Sequence, residues 1–296
     1  MTPVFQPLSL ADQRLVDDFL RRYPPEISEL TFTNLFIWRN YYQYRVAVVA
    51  GFLTLLAQQP GKAPFFLPPV GEGDLRTWGA MVFQYLKEQG HQPRLSRVPA
   101  SLVEPLAALS GVEVLFDRDN SDYLYRIENL IQLSGNRYHS QKNHVNRFKK
   151  NPHWEYLPLT PELVAECLNL QEAWCRLRQC DESPSLHNEE QAILEAFQHI
   201  DSLSYRGCVI RMGGRVEAFT LGELLNPHTV VIHLEKANPE IQGLYALINQ
   251  QFLEKEWGAV PFVNREQDLG EPGLRKAKES YHPESLVEKF TLFTPA

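Results

Sequence analysis

Apolar and polar residues in the second half of the chain alternate between two periods. "HWEYLPL" (153–159) reads as a strand, and Thr160 followed by Pro161 marks a helix start for "PELVAECLNLQEAWCRL". "HNEEQAILEAFQHI" (187–200) predicts a second helix. "RGCVIRM" and "RVEAFTLGELL" read as strands joined by Gly213-Gly214, a pair suited to the positive φ angles of a tight hairpin. A turn at Asn226-Pro227 leads into a third strand, "TVVIHLEKA". Asn238 predicts a helix cap and Pro239 its first position, with Ile241, Leu244, Tyr245, Ile248 and Phe252 at helical spacing. A short strand "AVPFV", a helix "EPGLRKAKES" and a final strand "SLVEKFTLF" complete the order β-α-α-β-β-β-α-β-α-β. The hairpins demand antiparallel pairing, so the pattern predicts an α/β fold with a mixed sheet and helices on its faces.

The first half repeats this order. "VFQPLSLADQRLVDDFL" echoes "WEYLPLTPELVAECLNL": a strand, Pro-Leu-Ser or Pro-Leu-Thr, then a helix. Two strands meet at Ala50-Gly51, "APFFLPP" follows, and "DLRTWGAMVFQYLKEQ" predicts a helix with Leu75, Trp78, Met81, Val82 and Tyr85 on one face and Gly90 as its stop. Matching elements are offset by about 150 to 165 residues, which predicts a tandem repeat of one α/β unit. The expected domains are 1–120 and 121–296, the second beginning with a basic helix over 136–150.

Composition changes this picture in three ways. With 44% apolar residues and a net charge of −7, the chain can bury a sizeable core but lacks the overall basic charge of a general polyanion binder. The N-terminus has neither the basic nor the apolar region of a secretory signal, and the apolar run 46–57 is too short to span a bilayer and is broken by Gly51. A soluble cytoplasmic protein is expected, with Cys167, Cys175, Cys180 and Cys208 as reduced, buried, apolar residues.

Against that acidic background, "SGNRYHSQKNHVNRFKKN" (134–151) holds five Lys or Arg, inside an acid-free run from Asn129 to Trp154. As a helix it places Tyr138, Gln141, Val145 and Phe148 on one face and His139, Asn143, Asn146, Arg147 and Lys150 toward the other, flanked by Lys142 and Lys149. Lys142, Arg147, Lys149 and Lys150 are candidate phosphate-binding residues. The alternative reading is a solvated linker helix, or a bracket that neutralises acidic neighbours. His139, His144 and His153 show no metal-ligand spacing, and no metal site is expected. No phosphate-binding P-loop, nucleophile elbow or dinucleotide fingerprint occurs in the sequence.

The element order resembles the GNAT acyltransferase fold, in which the helix after the fourth strand offers backbone N–H groups to the pyrophosphate of coenzyme A. The GNAT loop reads Gln/Arg-x-x-Gly-x-Gly/Ala. "EIQGLYAL" keeps Gly243, but Glu240 and Tyr245 stand where a cation or amide and a small residue are expected, and both oppose a pyrophosphate. A closer resemblance covers most of the chain and rests on "SGNRYHSQKNHVNRFKKN", "AFTLGELL", "IHLEKA" and "VNREQDLGEPGLRKAKESYHP". These segments are similar to the bacterial family related to the C-terminal catalytic domain of lysylphosphatidylglycerol synthase. That domain is a tandem GNAT-like pair, akin to the Fem peptidyltransferases, and moves an amino acid from aminoacyl-tRNA to a lipid headgroup. The resemblance implies acyl or aminoacyl transfer to an amine or hydroxyl, with aminoacyl-tRNA ahead of acyl-CoA as donor and no tightly bound cofactor. A small molecule, a peptide or a lipid headgroup is the implied acceptor. A binding module that kept the fold and lost the chemistry is the reading from another class.

Candidate catalytic residues follow from the strands. Alternation on "TVVIHLEKA" sets Val230, Ile232 and Leu234 on one face and His233 and Glu235 on the other, with Glu223 on the neighbouring strand. Attack by an amine on an ester or thioester needs a neutral nucleophile, so one of Glu223, His233 and Glu235 is expected to take its proton. The plainer reading pairs Glu235 with a Lys or Arg. The turn after residues 259–263 lies where ligand crevices open beyond strand ends, which makes Asn264, Arg265 and Lys276 candidate donor-binding residues. Tyr281 occupies the place where many GNAT enzymes keep a tyrosine that protonates the leaving group.

Overall fold

The computed structural model describes residues 3–109, 111–150 and 153–295. Asn151, the end of the basic stretch, lies outside the described residues. In the first half, strands β1 (Gln6–Pro7), β2 (Arg45–Val49), β3 (Phe52–Ala57), β4 (Phe65–Phe66), β5 (Val70–Gly71), β6 (Arg94–Pro99) and β7 (Glu113–Phe116) alternate with helices α1 (Gln13–Arg22), α2 (Phe32–Ile37), α3 (Arg39–Tyr42), α4 (Leu75–Glu88) and α5 (Ala100–Ala107). There follow β8 (Asp122–Arg126), α6 (Ile127–Gln132), α7 (His139–Lys149) and β9 (Trp154–Pro158). The rest comprises α8 (Val164–Arg178), α9 (Pro184–Gln198), β10 (Arg206–Met212), β11 (Arg215–Asn226), β12 (Thr229–Ala237), α10 (Leu244–Glu256), β13 (Phe262–Asn264), α11 (Pro272–Glu279), β14 (Ser285–Val287) and β15 (Lys289–Phe293).

The strands form two mixed sheets. One has the order β1-β2-β3-β4-β6-β15-β7, with β5 paired to β3; the other has the order β9-β10-β11-β12-β13-β8-β14. From β1 to β7 and from β9 to β8 every neighbouring pair is antiparallel except β4–β6 and β12–β13. Both sheets therefore repeat one plan: four antiparallel strands, a parallel step, then a strand drawn from the other half of the sequence. This is the tandem GNAT-like architecture, with one correction. The final strand was expected to close the second sheet; instead β15 lies in the first, between β6 and β7, and β8 takes the matching place in the second. By packing, residues 1–122, 267–275 and 286–296 form one compact unit and residues 123–266 and 276–285 the other.

Local chemistry explains most of the boundaries. Gly213 and Gly214 have φ of 57° and 80°, which closes the β10–β11 hairpin. Thr160 is extended, and Pro161 opens the turn that leads into α8. Asp74 caps α4 by accepting from the Arg76 N–H at 3.0 Å. Trp78 of α4 is fully buried in the core of the first unit, where its indole N–H donates to the Thr54 hydroxyl at 2.8 Å. The helix expected from Asn238 begins later. Asn238 accepts from the Glu240 N–H at 3.0 Å and forms a turn, and α10 starts only after Gly243, whose φ is 88°.

Two cysteines also depart from expectation. α8 ends at Gln179 in the left-handed region, φ 54°, which turns the chain back and brings Cys180 to Cys175 in a disulfide with a Cα separation of 5.0 Å. Cys167 and Cys208 are free and buried, and burial pushes the Cys167 thiol up to about 12. A bridge across a sequence separation of 5 closes a short loop and should contribute about 2 kcal/mol. Denaturant titration with and without reductant checks this: the midpoint should fall on reduction, as it should in Cys175→Ser, and an unchanged midpoint counts against a closed bridge in solution.

Candidate functional site

The site is built where β12 and β13 part. They pair only from Thr229 with Phe262 to Val231 with Asn264, while β12 continues to Ala237. Opposite, β11 pairs Leu221 with Leu234 but Gly222 with Ile232, so His233 is the extra residue of a β-bulge. Gly222 permits the close approach there: a Cβ at that position would lie 2.6 Å from the Val231 carbonyl oxygen.

The bulge sends His233 and Glu235 to different partners. His233 Nε2 donates to Glu223 Oε1 at 2.9 Å and Nδ1 to Glu266 Oε1 at 3.1 Å, with 1% of the side chain exposed. Burial opposes the charge on this ring, but the two carboxylate hydrogen bonds outweigh it and hold the imidazolium up to about 9. At neutral pH this makes His233 a buried cation that bridges two carboxylates, with both ring nitrogens engaged. Glu266 sits at φ 57°, an unusual conformation for a residue with a side chain, and its N–H donates to Asn264 Oδ1 at 2.8 Å.

Glu235 forms a second cluster. Its Oε1 accepts from Arg265 Nη2 at 2.9 Å and its Oε2 from Asn249 Nδ2 of α10 at 3.1 Å. The Arg265 guanidinium lies 4.9 Å from the centre of the Tyr281 ring and 5.8 Å from that of Tyr125. Burial pushes the Tyr281 hydroxyl up to about 12 against the pull of Arg265, so it keeps its proton at neutral pH. Lys278 Nζ bonds the Arg265 carbonyl and reaches the Glu266 carbonyl at 3.5 Å.

The basic helix borders this cluster. Tyr138, Gln141, Val145 and Phe148 are buried, and Lys142, Arg147, Lys149 and Lys150 are exposed. Gln141 Nε2 donates to the Ser280 carbonyl at 2.9 Å, beside Tyr281. At the other end, Arg147 Nη1 donates to Gln242 Oε1 at 3.3 Å, in the turn that enters α10. His144 packs on Gly243: a Cβ there would lie 2.5 Å from His144 Cβ.

Of the residues chosen from sequence, Glu223 and His233 meet, as do Glu235, Arg265 and Tyr281. Asn264 is fully buried, bonding within its own turn rather than facing solvent, and Lys276 is exposed on α11, where Lys278 is the lysine turned to the cluster. Glu266 and Lys278, legible in the sequence as members of the turn after residue 263 and of the helix that follows, join the clusters, and His144 is a structural member that charge runs gave no reason to rank. Among the described residues no group of His, Cys, Asp or Glu could hold a metal ion, and no helix is long and apolar enough to cross a membrane.

The family described as phosphatidylglycerol lysyltransferase, C-terminal, matches residues 20–293, and the chain belongs to that family. A conserved protein of unknown function from Bacteroides thetaiotaomicron VPI-5482 is 32% identical, with a TM-score of 0.93 over 99% of this chain and 100% of that one. The fold is shared with L-PGS from Bacillus licheniformis (13% identity, TM-score 0.65, 95% of this chain, 91% of that one). It is also shared with FemX (8% identity, TM-score 0.61, 97% of this chain, 96% of that one). No curated protein matches the sequence.

Proposed function

We propose that the protein is an aminoacyltransferase that takes an amino acid from aminoacyl-tRNA and passes it to an amine or hydroxyl. The observation that carries this reading is the seat of α7: it exposes four cations, one of which, Arg147, reaches the turn into α10, while its buried Gln141 bonds the Ser280 carbonyl beside Tyr281. A polyanionic donor resting on Lys142, Arg147, Lys149 and Lys150 would bring its acyl end toward the Glu235–Arg265–Tyr281 cluster. Tyr281, protonated at neutral pH, suits the role of acid to the leaving hydroxyl. Family membership and the fold shared with L-PGS and FemX support transfer chemistry. The reading sets the protein in the cytoplasm, with charged tRNA as its donor.

Coenzyme A is the weaker donor for a physical reason. In the GNAT arrangement the loop glycine leaves room for pyrophosphate, whereas here His144 fills the space over Gly243, and Glu240 is exposed on the same turn. The test is incubation with charged tRNA and with acetyl-coenzyme A, following donor loss across a panel of amines and alcohols; loss of acetyl-coenzyme A alone overturns the donor assignment, and loss of neither leaves a binding module. Changing Lys142, Arg147 and Lys150 together to Gln should weaken tRNA binding and flatten its salt dependence by up to three phosphate contacts, about 10-fold or more at low salt, with little change in melting temperature. A fall in stability with unchanged binding would instead make α7 a structural bracket.

A further inference from the structure

A cavity of about 380 Å³ opens between α8 and the turn that enters α10, and none of its lining residues belongs to the His233 or Arg265 clusters. Its apolar wall is one stripe of α8, Leu170, Ala173, Trp174 and Leu177, faced by Val216 and Pro239. Leu177 stands 55% exposed at the lip, an apolar surface that the fold leaves to solvent beside a shaped hollow. The wall is fixed. Trp174 Nε1 donates to the Tyr245 hydroxyl at 3.1 Å, and the ammonium of Lys236 lies 3.6 Å from the Trp174 ring centre. Lys236 is buried and is held in turn by Glu189 Oε2 at 2.8 Å. A buried lysine and a tyrosine spent on orienting one indole make sense if that ring has something to hold.

The rim selects what that is. The lining carries three carboxylates, Glu166, Glu217 and Glu240, and one guanidinium, Arg215. Glu166 is committed to Arg211 at 2.9 Å, whereas among the described residues the Glu217 carboxylate is met by a neutral amide, Asn238 Nδ2 at 2.8 Å, and by no cation. With Glu166 paired, Glu217 and Glu240 outnumber Arg215, a balance that disfavours a carboxylate or phosphate ligand. A protonated primary amine on a short alkyl or aryl body matches both the wall and the rim, and the volume suits a small molecule.

We infer that this groove is the binding site of a small primary amine which, on the transferase reading above, is the acyl acceptor. After the ammonium has released one proton to solvent, the amine nitrogen bonds to the ester carbonyl carbon of the donor. The ester C–O bond breaks, and the proton shed by the attacking nitrogen ends on the departing ribose hydroxyl.

The test titrates the intact chain with n-hexylamine, n-hexanol and n-hexanoate by calorimetry. Hexylamine should bind at least about tenfold tighter than hexanol, and hexanoate should not bind. Ala173→Trp, which fills the groove from the helix surface, should abolish hexylamine binding and leave binding of charged tRNA unchanged. Glu217→Gln, which keeps the shape, should weaken the amine about tenfold and serves if Ala173→Trp does not fold. Equal binding of amine and alcohol, no binding of hexylamine, or binding untouched by both variants overturns the assignment. The two readings fail separately: tRNA discharge without amine binding keeps the transferase and sinks the groove, and amine binding without tRNA discharge keeps the groove and sinks its role as acceptor site.

Discussion

Replacing Lys289 by Met should destabilise the protein by about 3–5 kcal/mol, the cost of stripping one partner from a buried charge cluster. Lys289 is fully buried on β15. Its ammonium lies 2.8 and 2.7 Å from the two Glu29 carboxylate oxygens and 2.6 Å from Asp122 Oδ1. Asp122 also accepts from the Ser28 N–H at 2.8 Å and hydroxyl at 2.9 Å, and Arg97 Nε meets Glu29 at 3.2 Å. Two carboxylates and two cations balance, so the cluster is neutral as a whole while no member can leave it cheaply. Burial already holds Glu29 above its ordinary value of 4.5, with Lys289 pulling the other way.

Without Lys289 that pull is gone, and Glu29 should take up a proton in the folded state. A carboxylate raised in the folded state favours folding at low pH and loses that advantage as pH rises past its ordinary value, so Lys289→Met should weaken steadily above about pH 4.5. Denaturant melts across pH read both effects. Adding Glu29→Gln should restore part of the loss by removing the uncompensated charge. A single variant within about 1 kcal/mol of the parent would mean that the cluster is solvated or rearranges freely.

Lys289 also shows where sequence reading stops. Glycine pairs, helix stops and alternation are local, so the β10–β11 hairpin, the extent and apolar face of α4 and the two faces of α7 were all legible. The destination of β15 is not local. "KFTLF" reads as a strand wherever it pairs; its place in the first sheet is set by long-range partners, the ladders with β6 and β7, the core that buries Leu292, and the meeting of Lys289 with Glu29 and Asp122, some 260 and 167 residues away. The same holds at the candidate site. Alternation put His233 and Glu235 on one face, but one extra residue in β12 separates them, and a bulge leaves no mark in a hydrophobic pattern. Gly243 was legible as a loop glycine. That His144 packs against it depends on a helix about a hundred residues earlier.

His233 should titrate near pH 9 rather than near 6.5, which ring carbon or nitrogen NMR shifts followed across pH would read directly. The causes are set by geometry: the ring has lost water on all sides, which by itself discourages charge, yet each nitrogen points at a carboxylate, Glu223 from β11 and Glu266 from the turn after β13. A group whose folded value is raised gives stability that is fully present below its unfolded value. That stability is lost as pH rises through the folded value. The window here runs from about 6.5 to about 9, and the contribution at neutral pH and below is roughly 3 kcal/mol at this separation. The parent should therefore lose stability between those limits, and His233→Gln should be less stable at pH 6 and flat across the window. Because Glu266 is held at a positive φ beside Arg265, the loss should also loosen the turn that carries Arg265, seen as faster amide exchange at residues 264–266 in His233→Gln. An imidazole that titrates at its ordinary value, with exchange unchanged in the variant, would mean that the two carboxylates do not clamp it.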